Sequence, residues 1–105
     1  MKNIKEFAKK PQLIQVTIDN PDIVEAYGEP IDFWMMDHVD LSTYFGYFKA
    51  QSENDGDEIN TLLRKIILNQ EGNPALADDE ALPVDITVAA LTKVNEILGK
   101  LKTKQ

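Results

Sequence analysis

The hydrophobic period of this chain changes once, at Asp40, and that change limits its possible folds more than any other feature. Before it lie two stretches of strand character. Leu13 to Ile18 is rich in β-branched residues and alternates in part, and Ile31 to Met36 puts Ile31, Phe33 and Met35 on one face and Asp32, Trp34 and Met36 on the other. After it the apolar residues recur at helical spacing. Leu41, Tyr44, Phe45 and Phe48 fall at i, i+3, i+4 and i+7, and Ile59, Leu62, Leu63, Ile66 and Ile67 repeat the pattern. A third stripe runs through Ala90, Val94, Ile97 and Leu101, widened by Leu91 and Leu98. Two strands alone are marginally stable in water, so they must pack on the helices or pair across a subunit boundary. The expected fold is α+β and mainly helical, with two short N-terminal strands and three principal helices at about 40–51, 57–69 and 83–100.

Local signals place the boundaries. Asn20-Pro21 opens a short helix as N-cap and first helical residue, and Gly28 closes it. Asp40 and Asp57 are candidate N-caps for the next two helices, and Asp85 sits in the first turn of the last, after Pro83. Gly72 is available for a left-handed residue in the turn Asn69 to Asn73, and Gly99 for a kink near the end of the last helix. Ser52 to Asp57 reads as a polar loop. With 105 residues the chain is one domain, 1–105, in which residues 1–10 form a basic lead-in with one turn of helix through Ile4 and Phe7.

Charge is unevenly spread over a net of −7. Residues 1–10 carry four Lys and one Glu, residues 11–80 carry three basic and fifteen acidic residues, and residues 81–105 carry four Lys against Asp85 and Glu96. The acidic middle repels phosphate backbones, which speaks against nucleic acid as a partner. It reads either as a solvated acidic surface or as a patch that docks a basic partner. No apolar run approaches the roughly 20 residues of a membrane span, and the N-terminus has no apolar core of a signal peptide. A cytoplasmic, soluble protein is expected, with no membrane partner.

The inventory of reactive groups is thin. There is no Cys, hence no disulfide, thiol nucleophile or Cys-ligated zinc, and one His allows no His-based metal cage. Aligning Gly56 with the invariant glycine of a calcium loop puts Gln51 first and Leu62 last, so the bidentate carboxylate is missing and a solvated loop is expected. His38, between Asp37 and Asp40, reads as a surface or capping residue. Asp78, Asp79 and Glu80 are consecutive and face water, whereas carboxylate catalysis needs two different environments in a cleft. No phosphate-cradling glycine loop and no Gly-x-Ser-x-Gly occurs. No enzyme, no catalytic residue, no metal and no cofactor is expected.

What remains is aromatic. Phe33, Trp34, Tyr44, Phe45, Tyr47 and Phe48 fall within sixteen positions. Most are needed for a core, yet a domain of this size can hardly cover both faces of the second strand. Trp34 and Met36 lie on its other face, and Tyr47 lies off the stripe of Leu41, Tyr44, Phe45 and Phe48. Trp34, Met36 and Tyr47 are therefore the candidate partner-binding residues, since interfaces are enriched in Trp, Tyr, Phe and Met.

Three stretches together resemble the small tail assembly chaperones of tailed bacteriophages. They are Tyr27-Gly28-Glu29-Pro30-Ile31-Asp32-Phe33, Ile67-Leu68-Asn69-Gln70-Glu71-Gly72-Asn73, and Leu82-Pro83 leading into Ala90 to Lys100. The resemblance covers roughly residues 20–100 and rests on the combination. It implies a protein without catalytic activity, made in the cytoplasm of the infected bacterium. Such a protein binds the long tape-measure protein and keeps it soluble while tail tube subunits polymerise around it. It is absent from the mature virion. The alternatives are an acidic decoy that occupies the basic surface of a nucleic-acid-binding protein, and a structural tail or baseplate component. Paired edge strands or an open aromatic face would also allow a homo-oligomer.

Overall fold

The computed structural model describes residues 1–8 and 10–102. Strand β1, Leu13–Ile18, pairs antiparallel with β2, Ile31–Met36, in a register that sets Leu13 opposite Met36 and Ile18 opposite Ile31. Both strands begin and end where their β-branched and alternating residues predict. Between them Pro21–Tyr27 forms helix α1, and Gly28 ends it at φ +88°, a backbone conformation that costs any residue with a Cβ. Pro21 opens the helix as expected, but the Asn20 side chain makes no capping bond, and the carboxylate of Asp22 accepts the Ile23 N–H instead.

Helix α2, Leu41–Ser52, starts at Asp40, whose carboxylate accepts the Thr43 N–H at 2.9 Å. Helix α3, Gly56–Ile66, starts two residues earlier than Asp57 predicts, because Asp55 takes the cap by accepting the Glu58 N–H. Only Glu53 to Asp55 separate the two helices, with Asn54 at φ 54°, a left-handed position that Asn tolerates better than most residues. Helix α4, Val84–Lys102, continues through Gly99 rather than bending there. The helices number four, not three, once α1 is counted, and a separate 3₁₀ turn spans Ile4–Phe7.

The largest departure is at the end of α3. The apolar period predicts helix to residue 69, but Ile67 turns extended and Leu68 joins the sheet. Leu68 exchanges both backbone bonds with Trp34, donating at 2.7 Å and accepting at 3.0 Å. Two more helical residues would have left the Trp34 N–H and C=O unpaired on the outer edge of β2. Asn69 then closes a tight loop: its side-chain oxygen accepts the N–H groups of Glu71 and Asn73, and Gly72 sits at φ +85°.

One core joins the layers. Val16, Ile18, Phe33 and Met35 from the inner sheet face meet Ile23, Tyr47, Leu63, Ile66, Ile67, Ala90, Val94 and Leu98. Each large side chain removed from water here contributes on the order of 1.5–3 kcal/mol. The stripes of α3 and α4 face it as the spacing predicts. The side chains of Lys100, Leu101 and Lys102, and residues Thr103 to Gln105, lie outside the described residues, and with them the end of the predicted α4 stripe and the C-terminal lysines.

Helix α2 is turned differently from the predicted stripe. Tyr47 and Ala50 are buried, Tyr44 and Phe48 half-buried, while Leu41 and Phe45 are 71% and 63% exposed. The helix is apolar on more than one side, so its own pattern does not select the buried face. Its partners do. Helix α3 is its main packing partner, and a reciprocal amide pair, Gln51 to Asn95 at 3.2 Å and Asn95 to Gln51 at 2.9 Å, joins it to α4 one turn along from the buried Tyr47.

Candidate partner-binding cleft

The outer face of the sheet carries the residues set aside for binding. Asp32 accepts hydrogen bonds from Gln15 Nε2 at 3.0 Å and Thr17 Oγ1 at 2.9 Å, which makes a polar strip at one end of the ladder. Beyond it lie Trp34 and Met36, both half-buried. Leu68, bridged to Trp34, divides their surroundings into two hollows. Met36 lines the smaller one, about 230 Å³, with His38, Val39, Thr43 and Lys65.

Trp34 lines the larger cleft, of about 360 Å³. Its floor is apolar: Ile18, Ile31 and Phe33 from the sheet, Ile67 and Leu68 from the end of α3, and Ile86 and Ala90 from α4. Ala75, Leu76 and Leu82 close the far side. The connector that supplies them is held at several points. Ala75 donates to the Ile67 carbonyl at 3.2 Å, Ala77 donates to the Glu80 carboxylate at 2.7 Å, and Arg64 Nη1 donates to the Glu80 carbonyl at 3.1 Å. The hydroxyl of Tyr27 donates to the Asp85 carboxylate at 3.0 Å and ties the end of α1 to the start of α4. That bond, first, and the neighbouring negative charge keep the Tyr27 hydroxyl protonated above its ordinary range.

The three binding candidates do not come together. Trp34 and Met36 share the outer sheet face, as expected, but line separate hollows. Tyr47 is not a surface residue. It is fully buried, packed edge-on against Phe48 with ring centres 5.2 Å apart, and its hydroxyl donates to the Leu91 carbonyl at 3.4 Å. Burial pushes its ionisation far above the usual tyrosine range. The exposed aromatic of α2 is Phe45. No periodicity argument could have exchanged the two, because both lie on apolar sides of the helix.

Asp37 and Asp40 are engaged locally. His38 is exposed and its Nδ1 lies 2.8 Å from the Asp37 carboxylate. Asp37 also accepts the Gln12 N–H at 2.8 Å, and this bond, before that to His38, holds its carboxyl below the ordinary range. Asp40 is lowered likewise, chiefly by the Thr43 hydroxyl and then by the Thr43 N–H. Among the described residues no group of three His, Asp or Glu is placed to hold a metal ion, and no helix is long and apolar enough to cross a membrane.

The two lowered carboxyls set an acid limb of stability. A carboxyl with a depressed folded-state pKa stabilises the fold above its unfolded pKa, near 4, and loses that contribution as pH falls through the folded value. The double variant Asp37→Asn/Asp40→Asn is expected to melt below wild type near pH 6 and to converge with it near pH 2. Melting curves across that range check this, and a gap independent of pH would mean the bonds act without the charge.

Comparison of the chain with protein-family models, with curated proteins and with solved structures gives no match. Fold and site together define a small α+β, mainly helical protein with an apolar cleft at the second strand, with Asp32 on its wall.

Proposed function

We propose that this protein is a non-catalytic binding protein of the tail assembly chaperone type, which holds the tape-measure protein of a tailed phage in soluble form. One observation carries the reading. The three stretches that resemble such chaperones are distant in sequence, yet they line one cleft: Ile31, Asp32 and Phe33 from the first, Ile67 to Gln70 from the second, Leu82 and Ala90 from the third. An apolar cleft with a tryptophan at its wall suits an apolar stripe of a partner helix. Leu41 and Phe45 are further apolar groups exposed on α2. The excess of carboxylates keeps such a complex in solution. Several copies along one long partner add avidity without tight single contacts. On this reading the protein acts in the cytoplasm of the infected bacterium and is lost before the virion is complete.

Co-expression with the tape-measure protein of the same phage tests it. The expected result is that the long protein is soluble only with this chain and that the complex survives high salt, because apolar contacts are not screened. A complex that dissociates steeply with salt would instead favour an acidic decoy for a basic protein. Recovery of the chain in purified particles would favour a structural tail component.

A further inference from the structure

The outer edge of β1 carries backbone groups that its own chain leaves unused. Opposite residues of an antiparallel pair either exchange both backbone bonds or turn both away from each other, in alternation. Trp34 gives both of its bonds to Leu68, so Gln15, which stands opposite Trp34, turns its N–H and C=O away from β2. Leu13 and Thr17 share its parity along the strand and do the same. Among the described residues none bonds to these N–H and C=O groups. The devices that usually close an edge, such as Lys, Pro or a bulge, are missing from it. Leu13 to Ile18 holds no charge, no Pro and no Gly, and its pairing with β2 runs unbroken from end to end.

We infer that this edge pairs two copies of the chain, β1 against β1, antiparallel about a two-fold axis at Gln15, so that the two sheets become one. In that register Leu13 of each copy exchanges both backbone bonds with Thr17 of the other, and Gln15 with its own counterpart, so none of the outward groups is left over. Pro11, the next residue of the same parity, has no N–H and ends the ladder. On the inner face the half-buried Ile14 comes opposite Val16 of the second copy. That is a β-branched pair at a position without ladder bonds, where side chains lie closest.

Charge selects the second copy and its direction. The chain enters β1 from the exposed Lys10 and leaves it at Asp19, whose side chain is 69% exposed although Lys93 Nζ lies 3.6 Å from it. Antiparallel pairing brings Lys10 of each copy alongside Asp19 of the other. A parallel pair would set like charge against like. The contact is isologous, so it closes as a dimer and does not propagate. It uses the edge of the sheet away from Leu68 and so leaves the Trp34 cleft open. It needs no other protein, so its failure would leave the chaperone reading standing, and the reverse also holds.

Light scattering and amide hydrogen exchange on the purified full-length chain over a concentration series test the inference. The mass of wild type is expected to rise from monomer to dimer and no further. The amides of Leu13, Gln15 and Thr17 are expected to gain protection as it does, while those of Val16 and Ile18, bonded within the sheet, are protected throughout. Gln15→Lys is expected to weaken the dimer at least about tenfold, because the axis sets the new charge against its own copy, and Gln15→Glu to do the same. The position is exposed on the outer sheet face, so neither variant disturbs the core, and circular dichroism confirms folding. A mixture of the two variants is expected to dimerise again, since the facing charges are then opposite. Wild type still monomeric at about 1 mM overturns the inference. So does a dimer whose Leu13, Gln15 and Thr17 amides exchange as in the monomer, or one indifferent to both variants. Protection of those amides only in a complex with the tape-measure protein would assign the edge to a foreign strand and overturn the pairing of copies.

Discussion

Tyr47→Ala is expected to cost about 3–5 kcal/mol, the range for deleting a fully buried aromatic ring that the surroundings cannot refill. Tyr47 has no exposed surface and reaches from α2 to the Leu91 carbonyl of α4 within the core. Domains of this size have of order 5–10 kcal/mol in total, so the variant should be unfolded or close to it at room temperature. Tyr47→Phe keeps the ring and loses only a long bond to the Leu91 carbonyl, so it should cost about 1 kcal/mol or less. Phe45→Ala, two positions away but exposed, should fall within about 0.5 kcal/mol of wild type. Urea denaturation of the three variants measures these differences. A loss for Phe45→Ala as large as that for Tyr47→Ala would mean that α2 is rotated from the orientation described.

The second large effect concerns binding. Trp34→Ala is expected to reduce solubilisation of the tape-measure partner by tenfold or more, the size of effect found for tryptophan anchors. It should leave folding with a smaller loss, because what holds β2 to Leu68 is the Trp34 backbone, which the substitution leaves in place. The half-buried indole contributes to the cleft wall and not to the closed core. Solubility of the co-expressed partner and urea denaturation of the variant alone give the two numbers. Equal losses in both would mean that Trp34 serves the core only.

Much of the architecture was legible before any packing was known. Both strands are read from β-branched residues and alternation, and α1 from Pro21 and Gly28, because these signals act through the backbone of the residue itself. The stripes of α3 and α4 were legible because each has one apolar side and one polar side. The cap at Asp55 was missed in favour of Asp57, since neighbouring aspartates offer the same chemistry and only the path of the preceding loop chooses between them. Trp34 and Met36 were rightly placed on the outer sheet face by alternation alone. That Leu68 would divide that face was not legible, because its bond to Trp34 joins residues far apart in sequence.

The sequence by itself therefore determined where the elements lie, the mixed and mainly helical class, and the concentration of carboxylates away from a basic N-terminus. Only the tertiary structure decided which side of α2 is buried, that Tyr47 is core and Phe45 surface, and that three remote segments close around one cleft. The physical reason is range. Backbone preference and hydrophobic period are properties of a few consecutive residues. The choice between two apolar faces is made by what packs against them, here α3 against α2, with the Gln51–Asn95 pair joining α2 to α4.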